Sequence, residues 1–89
     1  MTIKEVKALL HKINVPVSSY NIENSPTPIV PGTIILENSS EGFSVYWTER
    51  NEVYDQQYIK NEQDAVGYFL QLLEGSSKAY RKYVAEHNV

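Results

Sequence analysis

The chain has 89 residues, no cysteine, 42% hydrophobic and 21% charged residues, and a formal charge of −3. That length holds one domain around one core, and the composition is that of a globular chain rather than a disordered one. Without cysteine there is no disulfide framework, no thiolate zinc site and no cysteine nucleophile.

The first residues, Met1 to Glu5, lack the apolar run of a signal peptide, and no stretch approaches membrane-spanning length. The expected location is cytoplasmic. Thr2 and Glu5 have capping-box spacing. Ile3, Val6, Leu9, Leu10 and Ile13 then recur with helical period, which predicts a helix over 3–13 that stops before Pro16. Residues 17–32 carry Pro26, Pro28 and Pro31 and read as an extended loop. Pro28 and Pro31 have PxxP spacing, but a stiff crossing from helix to sheet explains them as well.

Three strands are predicted next, over 33–37, 43–49 and 53–59. Phe43, Val45 and Trp47 alternate with Ser44, Tyr46 and Thr48, the period of a half-buried strand. A turn near Arg50 and Asn51, with Asn51 suited to positive φ, leads into the third strand. There Tyr54 and Tyr58 fall on one face, Val53 and Ile59 on the other, and the polar content marks an edge. Asn61 is a good cap for a helix over 62–74 whose buried stripe is Ala65, Phe69, Leu72 and Leu73. Gly67 is read as a point of close backbone approach and Gly75 as a left-handed helix end. A basic C-terminal helix over 77–87 carries Tyr80 and Tyr83 and is expected to pack onto the domain, the alternative being a free interaction arm. The expected fold is α+β, a three-stranded antiparallel β-meander with helices on one face, in the order α-β-β-β-α-α within a single domain over 1–89.

Charge is uneven. From Glu37 to Asp64 there are seven carboxylates (Glu37, Glu41, Glu49, Glu52, Asp55, Glu62, Asp64) against Arg50 and Lys60, a local net of −5. His11 and His87 have no second ligand at metal spacing, the serines have no neighbouring histidine, and the four glycines form no phosphate loop. Nothing here points to catalysis, a metal or a cofactor. Tyrosines on an open sheet can stack nucleic-acid bases, and the helix–strands–helix order resembles double-stranded-RNA-binding domains. Phosphates need cations, however, and this sheet is anionic. An acidic, aromatic surface suits a basic protein, with Tyr46, Tyr54 and Tyr58 as anchors and Glu49, Glu52 and Asp55 steering the encounter. No membrane contact is expected, and the chain is expected to be a monomer or a weak dimer through its edge strand.

The run Val45-Tyr46-Trp47-Thr48-Glu49-Arg50, then Tyr58-Ile59, then Glu62-Gln63-Asp64-Ala65 leading into Tyr68-Phe69-Leu70, resembles a pattern of small bacterial immunity proteins of polymorphic-toxin systems. The first helix with its Val15-Pro16 exit and the following Tyr20 is similar too. The resemblance covers roughly residues 3–73. Asn51 stands where glycine is usual, and the proline-rich loop replaces a shorter polar connection. The resemblance implies a protein that binds and neutralises a cognate toxin domain, often a nuclease. Two other readings fit the same surface: a phage- or plasmid-encoded adaptor that regulates a host protein, and a double-stranded-RNA-binding-like module.

Overall fold

The computed structural model describes residues 1–23, 30–50 and 52–87. In chain order the elements are helix α1 (Ile3–Lys12), strands β1 (Tyr20–Ile22), β2 (Ile34–Ser39), β3 (Gly42–Glu49) and β4 (Glu52–Ile59), and helices α2 (Glu62–Ser76) and α3 (Lys78–His87). The fold is α+β, but the sheet has four strands in the order β1-β2-β3-β4, with β1 parallel to β2 and the other pairs antiparallel. The expected three-stranded antiparallel meander therefore lacked one strand. Strand β1 lies inside the segment read as a loop over 17–32. Three residues are too few to display an alternating pattern, so only the pairing of Tyr20, Asn21 and Ile22 with Ile34, Ile35 and Leu36 defines it. Pro26 and Pro28, with part of the PxxP stretch, lie outside the described residues, as does Asn51.

Helix α1 opens on the expected capping box. The Thr2 hydroxyl accepts from the Glu5 amide at 3.2 Å, and Glu5 accepts from the Thr2 amide at 2.9 Å. It ends at Lys12, one residue before the expected 13, and the cause is not Pro16 alone. Asn14 adopts φ 61, its amide donates to the His11 carbonyl and the Val15 amide donates to the Leu10 carbonyl at 3.0 Å. This is a Schellman ending with asparagine in the left-handed position. Leu10 and Val15, the positions that carry the apolar pair of such an ending, are both buried in the core.

The core lies between one face of the sheet and the helices. Ile22, Ile34, Leu36 and Val45 project from the strands to meet Val6 and Leu10 of α1, Phe69 and Leu73 of α2, and Tyr80 of α3. Tyr20 packs edge-on against Phe69, with ring centres 6.4 Å apart. Burial of a Phe or Leu side chain contributes roughly 1.5–3 kcal/mol, so Phe69, with no solvent exposure, is central to stability. The Ile3 amide donates to Glu62 Oε2 at 2.8 Å and ties the start of α1 to the start of α2.

The Asn61 side chain caps α2 as expected, accepting from the Gln63 and Asp64 amides. The helix runs past the expected 74, through Gly75 to Ser76, and ends on Ser77 at φ −113. Gly75 is therefore a helical residue, not a left-handed cap. Gly67 is exposed, and nothing beyond its own helix lies within 4 Å of where a β-carbon would be, so no neighbouring backbone packs there. Ser77 Oγ accepts from the Tyr80 amide and starts α3. That helix packs on the domain through Tyr80, Tyr83 and Val84.

The two hairpins differ in how they turn. Ser39 pairs with Gly42, and Gly42 has φ +145. A side chain there would meet the Ile59 carbonyl oxygen at 2.6 Å, so only glycine fits. The second hairpin has Arg50 at φ 52 and ends on the pair Glu49–Glu52.

Candidate protein-binding site

Strand β4 is an edge strand, and every residue from Glu52 to Tyr58 is exposed. Its pairing with β3 is interrupted. Val45 pairs with Gln57 and Trp47 with Tyr54, leaving one extra residue in β4 opposite Tyr46. Asp55 has φ 54, the left-handed conformation of a bulge. A bulge shifts the alternation by one residue, which corrects the face assignment made from the sequence. Tyr54 and Ile59 lie on the helix side of the sheet, opposite Trp47 and Phe43, while Val53 and Tyr58 lie on the outer side, opposite Thr48 and Ser44.

The six residues expected to form one partner-binding face therefore divide. Tyr46 and Tyr58 are on the outer side. Tyr58 is the most exposed large side chain there, at 72%. Tyr46 is half-buried, and its phenol is pushed up from its usual pKa by burial first and then by Glu37 beside it. Gln56 donates to Ser44 Oγ at 3.1 Å on the same face.

Glu49, Glu52, Tyr54 and Asp55 form the second group, around Trp47. The Tyr54 ring stacks on the Trp47 indole, with centres 4.5 Å apart and planes 18° from parallel. The Tyr54 hydroxyl donates to Glu52 Oε2 at 2.7 Å, and that bond is the first cause of its raised pKa, followed by burial and by the Glu49 charge. Asp55 is not free to steer a partner: its Oδ2 accepts from Trp47 Nε1 at 2.7 Å. Its carbonyl accepts from the Tyr68 hydroxyl of α2, also at 2.7 Å. Burial, then the Asp55 charge, raises the Tyr68 phenol. Asp55 is better described as the residue that fastens the bulge to β3 and α2.

That leaves Glu49 and Glu52 as the carboxylates at the hairpin tip. They stand directly opposite each other on neighbouring strands, and no ion pair reaches either among the described residues. Like charges in that position destabilise a sheet, by roughly 0.2–1 kcal/mol relative to a neutral pair.

Trp47, Tyr68 and Leu72 belong to this end of the molecule and were not expected to. Trp47, on the face of Phe43 and Val45, is half-buried and packs against the edge of the core. Beside it, Gly32, Ile34, Leu72, Gly75 and Ser76 leave an apolar groove of about 290 Å³.

Elsewhere the polar residues have local roles. His87 Nδ1 donates to the Tyr83 carbonyl at 2.9 Å and its ring stacks on Tyr83. Lys7 pairs with Glu23 at 3.2 Å. Among the described residues, no group of three His, Asp or Glu side chains could hold a metal ion, and no helix is long and apolar enough to cross a membrane. No family model matches the chain, and neither a curated protein nor a solved structure shows significant similarity to it.

Proposed function

We propose that this chain is an immunity-type protein that neutralises a basic bacterial toxin domain by docking it on the exposed β3–β4 hairpin. One observation carries the reading: Glu49 and Glu52 face each other across the hairpin tip, with no ion pair among the described residues and with the Trp47–Tyr54 stack beneath them. A cation from a partner would relieve their mutual repulsion, and the stacked rings offer a rigid apolar platform next to it. Tyr46 of β3 and Tyr58 of β4 extend the surface onto the outer side of the same hairpin. Compared with the expected face, the surface is an edge seen from both sides. Its acid is concentrated at Glu49 and Glu52, and Asp55 is a support. The sequence resemblance to small immunity proteins favours a toxin over another basic partner.

The test is co-expression with any basic toxin domain that a neighbouring gene is found to encode. Wild type is expected to restore growth. The double variant Glu49→Lys, Glu52→Lys is expected to fail to do so while remaining folded. Equal rescue by both would refute the hairpin as the docking surface.

A further inference from the structure

The apolar groove adjoins the acidic tip through a shared residue. Trp47 forms one wall of the groove and also stacks on Tyr54, whose hydroxyl holds Glu52. The rest of the wall comes from Ile34 at the start of β2 and from Leu72 and Gly75 near the end of α2. Its volume, about 290 Å³, lies at the lower limit of small-molecule sites, roughly 300–1,000 Å³. A single side chain suits it better than a cofactor. The groove exists because Gly32 and Gly75 contribute no side chains, and neither has any atom within 4 Å of where a β-carbon would lie.

Spacing connects the groove to the charge. Glu49 follows Trp47 by two positions on β3, hence on the same face and roughly 7 Å further along. In an extended segment, side chains two positions apart also share a face at that separation. We propose that the groove receives one aliphatic side chain of an extended, basic segment of the partner, whose Lys or Arg two positions away reaches Glu49 and Glu52. This rests on the docking reading above and deepens it, because it specifies the recognised pattern as cation–x–aliphatic. Charge complementarity selects this occupant. A second copy of the chain would bring a net −3 and the same carboxylates to an already acidic tip.

The experiment uses three blocked pentapeptides, Arg-Ser-Leu-Ser-Arg, Arg-Ser-Gly-Ser-Arg and Glu-Ser-Leu-Ser-Glu, titrated into the full chain. Binding at the groove is followed by the indole N–H signal of Trp47, the single tryptophan, and by the methyl signals of Ile34 and Leu72; binding at the tip is followed by the backbone amide signals of Glu49 and Glu52. The leucine-containing basic peptide is expected to shift the groove and tip signals saturably, with affinity at least about tenfold above the glycine peptide. The acidic peptide should not bind. Gly75→Met, which places a side chain in open space on a helix, should fold normally and abolish the groove shifts.

If the two basic peptides bind alike at Glu49 and Glu52 and leave Ile34 and Leu72 unmoved, the groove is not part of the site although the acidic docking surface stands. If neither basic peptide moves the Glu49 and Glu52 signals, the docking reading itself fails. Groove signals that depend on the protein's own concentration would identify a second copy as the occupant and overturn the proposal. So would unaltered peptide binding by Gly75→Met.

Discussion

The two edges of the sheet are built in opposite ways. Strand β1 is three residues long and runs parallel to its neighbour, and Asn21 and Ile22 are 3% and 1% exposed. Strand β4 is eight residues long and polar, and Val53 and Tyr58 are 51% and 72% exposed. One edge is part of the core and the other is a surface. A long exposed edge is a hazard for uncontrolled pairing, and a bulge with charged residues limits it. Here the bulge at Asp55 also aims Tyr54 and Tyr58 to opposite sides, so the feature that protects the edge also shapes the proposed docking surface.

Removing an aliphatic side chain from each edge should separate the two most clearly. Ile22→Ala is expected to cost about 2–4 kcal/mol in denaturant unfolding, as a buried aliphatic deletion. Val53→Ala should change stability by no more than about 0.5 kcal/mol, as an exposed substitution. Similar costs would mean that β4 is buried in solution. Next in size is Gly42→Ala, which forces a side chain against the Ile59 carbonyl oxygen at a φ suited to glycine. A loss of about 2 kcal/mol or more is expected, read as a lowered unfolding midpoint.

Smaller effects probe the exposed end. Trp47→Phe keeps a ring against Tyr54 but deletes the donor to Asp55. It should cost about 1 kcal/mol and increase amide exchange at Asp55 and Gln56 ahead of the rest of β4. Smallest is the pH response of the α1 cap. Hydrogen bonds to the Thr2 backbone and then its hydroxyl lower the Glu5 pKa. The folded-state value is depressed, so the stabilisation is present above the ordinary glutamate range and is lost as pH falls through the lowered folded value. Helicity of α1 should therefore fade on acidification in wild type and respond less in Thr2→Ala.

How much of this was legible depended on the length scale of the signal. Local capping was readable because it needs only neighbours: Thr2 with Glu5, and Asn61 before an apolar stripe. The long strands were readable from their alternation. Strand β1 was not, since Tyr20-Asn21-Ile22 is defined by a parallel partner fourteen positions away and has no pattern of its own. The bulge was equally hidden. Its Asp55 resembles any polar edge residue, and its left-handed backbone is held by Trp47 and Tyr68, eight and thirteen positions distant. That one unseen residue moved Tyr54 to the other face and turned a single expected site into two flanks of one edge. The concentration of acid near the hairpin was visible in composition, but the opposition of Glu49 and Glu52 needed the register.

The most direct measurement is the rate of association with the basic toxin domain proposed as partner, as ionic strength is varied. Wild type is compared with Glu49→Lys, Glu52→Lys and with a charge-matched control, Glu41→Lys, Glu86→Lys, whose first site lies at the far end of β3 and whose second is on α3. Wild type and control should associate quickly at low salt and slow markedly as salt is added, whereas the hairpin variant should be slow and nearly indifferent to salt. A control that is impaired as much as the hairpin variant would contradict the account, because net charge rather than the tip of β3 and β4 would then govern the encounter.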